Sequence, residues 1–424
     1  MIKSLNRSIA PPQQTISLPN FKVHPVIKTF GVDTLHVPLL DDVARFDIVF
    51  KTGVLEQPFI GALECIQALF LAGTENKKEE DILDELDMLG AYYGCDFNLN
   101  TTTFTLYSTP QLIYKAAPIF IDAILNATFP EEKLKLFKDR KKASLQSNLE
   151  KTTYLAKTKC NNLFYKTPIL KEQLSSQNYD NISREALLNY HQNHLKQNVS
   201  IYYSGNYKGF SDDVIGELSK ISCNTTNATL LPQIEKLRPN NHEHLNKADA
   251  IQTSIRAKSV GLGRKHIDYP KLQLSNAVFG GFFGSLLMKN IREDKGLTYG
   301  ISSSLSAEEL FGTINIQGDI KSNYIDIVFE SISTELKALH NGTFEKGLFE
   351  KAKNYLLGNI AKSFDETFAI LDKSKLVYLQ NLSETYHHAY FEAIKACSLH
   401  EMIETAQAYL NFESFIFVTC GPET

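Results

Sequence analysis

The 424-residue chain has no Cys-x-x-Cys pair, no long block of lysine or arginine, and no apolar run long enough to cross a membrane. Each absence removes a class of protein. Six cysteines stand apart, at 65, 95, 160, 223, 397 and 420. Scattered thiols in a chain of this length read as reduced core residues, so a cytoplasmic location is the expectation. The formal net charge is −4, and nucleic-acid binding needs a clustered basic surface that is missing here. The longest apolar stretch, residues 278–288, is broken by three glycines; a membrane helix needs roughly 20 residues. The amino-terminal MIKSLNRSIAPPQQ contains no apolar core of signal-peptide length. No P-loop, Gly-x-Ser-x-Gly elbow or dinucleotide fingerprint is present, and Gly261-Leu-Gly263 is a lone Gly-x-Gly.

What is present is a repeat. Asn126-Ala-Thr-Phe129, followed by PEEKLKLFKDRKKASLQSNL, and Asn341-Gly-Thr-Phe344, followed by EKGLFEKAKNYLLGNIAKSF, lie 215 residues apart. The same offset carries Ser183 onto Ser398, and both serines open helical patterns. Each of those helices precedes a short apolar run, Ile201–Tyr203 in one half and Phe415–Val418 in the other. A single core rarely grows beyond about 250–300 residues, so two copies of one domain are expected: residues 1–221 and 249–424. The intervening 222–248, rich in Asn, Thr and Pro, reads as a linker.

Local patterns give the fold class. Ala44, Phe46, Ile48 and Phe50 alternate with polar residues, the signature of a half-buried strand. Residues 96–108 are rich in Thr and aromatics and also read as strand. Residues 61–71 and 79–89 read as helices, with Gly90 suited to close the second. In the second half, Ile325, Val328, Phe329, Ile332, Leu336 and Leu339 line one helix face. Strands are expected at 300–305 and 312–317. Helices and strands cluster rather than alternate strictly. The expectation is therefore an α+β protein of two homologous domains, each an antiparallel sheet packed with helices.

The motif that carries chemistry is damaged. Gly61-Ala-Leu-Glu-Cys-Ile-Gln-Ala-Leu-Phe-Leu-Ala-Gly-Thr74 resembles the M16 metallopeptidase signature, Gly-Leu-x-His-x-x-Glu-His followed by Met-Leu-Phe-x-Gly-Thr. In that family two imidazoles four residues apart share one helix face and hold zinc, and the glutamate activates water. Anchored on Gly73-Thr74, Glu64 takes the first histidine position, Gln67 the glutamate and Ala68 the second histidine. The family's third ligand is a glutamate seven residues after another acid. Asp139 fits that acid, which puts Gln146 in the ligand position. The resemblance thus implies no metal or cofactor held by this chain.

A second signature is whole. Arg292-Glu-Asp-Lys-Gly-Leu-Thr-Tyr299 matches the family's Arg-x-x-x-Gly-Leu-x-Tyr, and residues 279–286 resemble its glycine-rich lead-in. By that resemblance, Arg292 and Tyr299 would hydrogen-bond a substrate backbone and its tetrahedral intermediate. Without it, Arg292 reads as a surface salt-bridge residue and Tyr299 as a strand residue with its ring in the core. The strand ending at Ser204-Gly205 also resembles the family, with Asn206 where an acid is usual. His191 and His194, His242-Glu-His244, and His387 with His388 lack accompanying ligands at a recognisable spacing and read as ordinary polar residues. Glu79–Asp87 is an acidic run that reads as a solvated helix face.

The resemblance implies the LuxS/MPP-like metallohydrolase fold, as one half of a clamshell. It implies a heterodimer, in which a zinc-bearing partner with His-x-x-Glu-His acts on a peptide and this chain supplies Arg292 and Tyr299. The alternatives are a purely structural subunit and a homodimeric peptide-binding chamber. Neither nucleic acid nor membrane is expected as a partner.

Overall fold

A computed structural model describes residues 16–39, 42–171, 175–205, 212–221, 230–235 and 241–423. Asn206, Cys223, the amino-terminal fourteen residues and, within the segment read as a linker, residues 222–229 and 236–240 lie outside the described residues.

Among the described residues, eleven strands form two sheets. The first contains β1 (Val26–Thr29), β2 (Val32–Val37), β3 (Ala44–Phe50), β4 (Tyr92–Phe97), β5 (Thr102–Ser108) and β6 (Val199–Ser204). Its order is β1-β2-β6-β3-β5-β4. The second contains β7 (Asn241–Asn246), β8 (Gln252–Gly261), β9 (Thr298–Ala307), β10 (Gly312–Lys321) and β11 (Ile416–Gly421), in the order β7-β11-β8-β10-β9. Without β1, the two orders are the same path traced twice. Neither sheet is purely antiparallel, as the sequence suggested: β2 runs parallel to β6, and β7 parallel to β11. The reason is topological. β6 and β11 each return after a long helical excursion, and such a crossover can bring a strand back in parallel.

The region read as a linker ends in structure. His242, Glu243 and His244 belong to β7, and both imidazoles meet the Thr419 hydroxyl, at 3.0 and 2.9 Å. Polar composition hid a strand whose partner lies almost at the other end of the chain. Residues 96–108, read as one strand, are a hairpin. The Asn98 carboxamide accepts from the Asn100 and Thr101 amides at 2.9 and 2.8 Å, and this local turn divides β4 from β5.

Each sheet has one face on its own helices. In the first half these include Ala62–Leu69, Glu79–Met88, Ile113–Leu125 and Glu131–Leu149, around a core of Phe46, Ile48, Phe50, Phe104 and Phe120. Gly90 takes a left-handed φ of +57° just after Glu79–Met88. In the second half, helix Ile325–Asn341 buries Val328, Ile332, Leu336 and Leu339, the stripe expected from their spacing. Ser183 and Ser398 cap their helices, accepting from the Ala186 and Glu401 amides.

The other face of each sheet is covered by a helix from the opposite half. Helix Thr152–Phe164 lies on β8 and β11, where Ala156, Cys160 and Phe164 pack with Ile416, Val418 and Cys420. Helix Ala369–Leu379 lies on β2 and β6, where Leu371 meets Leu35, Val49 and Tyr202. This reciprocal exchange corrects the reading of β3 as half-buried. Its polar face is sealed: Asp47 is wholly buried, bonded by Arg45 at 2.8 Å and by Lys375 of the covering helix at 2.6 Å. Burial opposes ionisation of Asp47, but Lys375 and Arg45 outweigh it and hold the carboxyl below the usual range.

Cysteines 65, 95, 160, 397 and 420 are all buried free thiols. Among the described residues, no helix is long and apolar enough to cross a membrane.

Candidate functional site

Helix Ala62–Leu69 owes its orientation to its apolar residues. Ala62, Leu63, Cys65, Ile66 and Leu69 are buried, which turns Glu64, Gln67 and Ala68 outward on one face. The segment after it is pinned to the repeat tetrapeptide, since the Thr128 amide and hydroxyl both donate to the Gly73 carbonyl at 3.0 Å. The scaffold of the zinc motif is therefore intact, and its donors are not. Glu64 forms a 2.5 Å ion pair with Lys141 of helix Glu131–Leu149. Ala68 offers no donor atom. Gln146 is exposed on that same helix, five residues past Lys141, a rise of about 7.5 Å. Asp139 is exposed and faces Lys142 at 3.4 Å.

Gln67 is already engaged. Its Nε2 donates to the Cys95 carbonyl at 2.5 Å. The hairpin closes with the Asn98 amide on the Thr101 carbonyl, and antiparallel pairs alternate between bonded and open. Cys95, three residues back and opposite Phe104, thus turns its carbonyl to the open edge of β4. Gln67 caps that edge.

The residues present do not fit a zinc ion. One carboxylate is paired with a lysine, one amide is spent on the backbone, one position is a methyl group and one amide points to solvent. Among the described residues, no three His, Cys, Asp or Glu side chains gather as a metal cage. Lys141 was not singled out in the sequence. It stands in a run of like residues, Lys-Asp-Arg-Lys-Lys, and nothing marks which one meets Glu64.

Arg292 and Tyr299 sit at the matching edge of the second sheet. Gly280 brings the lead-in so close to β9 that a Cβ there would fall 2.7 Å from that of Ser303. Arg292 lies in the helical turn Met288–Asp294, its guanidinium 4.8 Å above the exposed Phe283 ring. Gly296, at a φ of +63°, turns the chain into β9. Beyond it, two β9 residues, Tyr299 and Gly300, oppose Asp319 alone, since Thr298 pairs with Ile320 and Ile301 with Gly318. The Thr298 hydroxyl fixes this bulge, donating to the Asp319 carbonyl and accepting from the Gly300 amide. Bulges re-aim side chains, and Tyr299 is 88% exposed rather than in the core. Among the described residues, Arg292 has no ion-pair partner, and no hydrogen bond joins Arg292 or Tyr299 to the first-half positions.

The edge cap is repeated here. Asn276 Nδ2 donates to the Ser303 carbonyl at 3.0 Å, while the Ser303 hydroxyl donates back to Asn276 Oδ1 at 2.5 Å. The Glu308 amide closes the β9–β10 turn on the Phe311 carbonyl, so by the same alternation Ser303 faces the open edge. Each half thus uses a carboxamide on its first helix to close one carbonyl of its edge strand. Sequence reading missed Asn276, because the partner of an amide is visible only once the strand is in place.

The remaining histidines do ordinary work. His191 is buried, with Nε2 on the Ile124 carbonyl at 2.7 Å, and His387 Nε2 meets the Lys373 carbonyl at 3.0 Å.

Known proteins place this arrangement. The sequence profile described as the peptidase M16 inactive domain matches residues 181–356. An uncharacterized zinc protease of Bacillus subtilis, YmxG, is 24% identical over 320 residues, covering 72% of this chain and 75% of its own. An uncharacterized zinc protease of Rickettsia bellii is 22% identical over 352 residues, covering 80% of this chain and 83% of its own. In fold, the chain is similar to the peptidase M16 inactive domain of Pseudomonas fluorescens, with a TM-score of 0.82 at 19% identity, over 95% of this chain and 98% of that one. A protease of Helicobacter pylori gives 0.80 at 13% identity, over 95% of this chain and 100% of that one. In sequence and fold the chain is similar to M16 peptidases, and it lacks the histidines and the glutamate of their zinc motif.

Proposed function

We propose that this chain is the zinc-free subunit of a heterodimeric M16B-type peptidase. One contrast carries the reading: the first-half motif is chemically spent, while Tyr299 stands exposed on a built bulge and the half-buried Arg292 on the turn before it. A partner with His-x-x-Glu-His would hold the zinc that activates water. This chain would close the chamber and offer two strong donors. A guanidinium and a phenol stay protonated at neutral pH and can bond a peptide carbonyl or the oxyanion that forms from it. The peptide would pair with an open sheet edge, where main-chain hydrogen bonds supply affinity. Gln67 favours the partner's edge over this chain's own, because it occupies the Cys95 carbonyl.

Reconstitution tests the reading. The chain alone should cleave nothing, and mixing it with a co-purifying His-x-x-Glu-His protein should restore peptidase activity. Activity indifferent to both Arg292→Ala and Tyr299→Phe would favour a purely structural subunit. A stable homodimer that binds peptide with no partner would favour a chamber of two identical chains.

A further inference from the structure

The duplicated architecture makes two comparable spaces, each between the outer face of a sheet and the helix lent by the other half. In the first, β3 presents Arg45 and Asp47, and the buried carboxylate neutralises the cations around it. In the second, β8 presents Arg256 and Lys258 on the face covered by helix Thr152–Phe164. Among the described residues, no acidic side chain lines that space, a cavity of about 370 Å³.

Three cations line it: Lys157, Arg256 and Lys258. Arg256 is partly committed, donating to the Ile255 and Gly318 carbonyls, and its guanidinium lies 3.6 Å from Asp319, which is not part of the lining. Among the described residues, Lys157 and Lys258 have no ion-pair partner. Lys258 is fixed instead by two aromatic faces, its ammonium 5.6 Å from the Phe164 ring and 5.3 Å from that of Tyr165. Cys160 cannot act as the counter-charge: burial pushes its thiol up to about 11. Burial and the neighbouring Lys157 both hold the Lys258 ammonium below its ordinary range, the signature of a cation lacking an anion.

We propose that this cavity binds an oxyanion, a carboxylate or phosphate group carried by a small ligand, with Lys157 and Lys258 as its charge partners. Ser304 and Asn315 add neutral donors from β9 and β10. The volume falls within the range of small-molecule sites and exceeds what a bare ion needs. Leu170 and Ile316 supply apolar wall for the remainder of the ligand. The site requires neither the partner chain nor peptidase activity, so its failure would leave the reading of Arg292 and Tyr299 untouched.

The test is a titration of the intact chain, its lysines carrying ¹³C-methyl labels, with inorganic phosphate in one arm and N-acetylglutamate in the other. The Lys157 and Lys258 signals should move saturably with at least one anion, and the responding arm identifies phosphate or carboxylate as the group. Lys258→Met should weaken that binding about tenfold or more, as expected for losing a charge-assisted partner. Lys157→Gln alters an exposed side chain, leaves the core intact and should weaken binding several-fold. Signals that move with neither anion, or an affinity unchanged by both substitutions, would overturn the proposal.

Discussion

A carboxylate at position 67 would have no proton to give the Cys95 carbonyl. Gln67→Glu should therefore remove the cap, at a cost of about 1 kcal/mol, and speed hydrogen exchange of the β4 amides roughly fivefold. It should not create a zinc site, because Glu64 remains paired with Lys141 and position 68 remains a methyl group. Metal uptake by this single variant would contradict that account. At the second edge, Arg292→Ala and Tyr299→Phe should each lower kcat of the reconstituted complex by about 10²-fold, the scale of losing one oxyanion donor. Assembly measured by native mass should be unchanged, because Arg292 has only the exposed Phe283 ring beneath it and Tyr299 is exposed.

Elements differ in how much of their environment is local. Helix Ile325–Asn341 was readable because a stripe at helical spacing has one reasonable use, to face a core. Leu336→Ala should destabilise the chain by about 2–5 kcal/mol in denaturant melts. Strand β3 was readable as a strand but not as a sealed one. Alternation reports that Arg45 and Asp47 share a face; it says nothing of a helix more than three hundred residues away that brings Lys375 onto it. Asp47→Ala leaves the mostly buried Arg45 and Lys375 with only the more exposed Asp372 as counter-ion and should cost about 3 kcal/mol, whereas an exposed pair such as Lys28–Asp33 should cost under about 1 kcal/mol. β7 escaped notice for a related reason. Its His-Glu-His is polar, and only pairing with β11 makes it a strand. The damaged motif was legible because it is a pattern of side chains at fixed spacing. The amide caps were not, because each joins a helix to an edge that the sequence does not place.

For the whole molecule, the exchange of helices ties the two halves together and ties folding to pH. Burial pushes the His191 and His387 imidazoles down to about 4. Both are bases whose folded values lie below the unfolded value near 6.5, so their contribution is full above that value and lost as pH falls through about 4. Asp47, also lowered, adds a further loss at still lower pH. Melting temperature should therefore decline steadily from about pH 6.5 toward 4; a flat profile across that window would contradict the buried neutral imidazoles. The same global view shows one path of strands traced twice, one half with a spent motif and the other with a half-buried Arg292 beside an exposed Tyr299. The most direct check is elemental analysis of the purified chain after incubation with zinc and removal of loosely bound ion. The account predicts far less than one zinc per chain. One tightly held zinc per chain, lost on Glu64→Ala or Gln146→Ala, would contradict it.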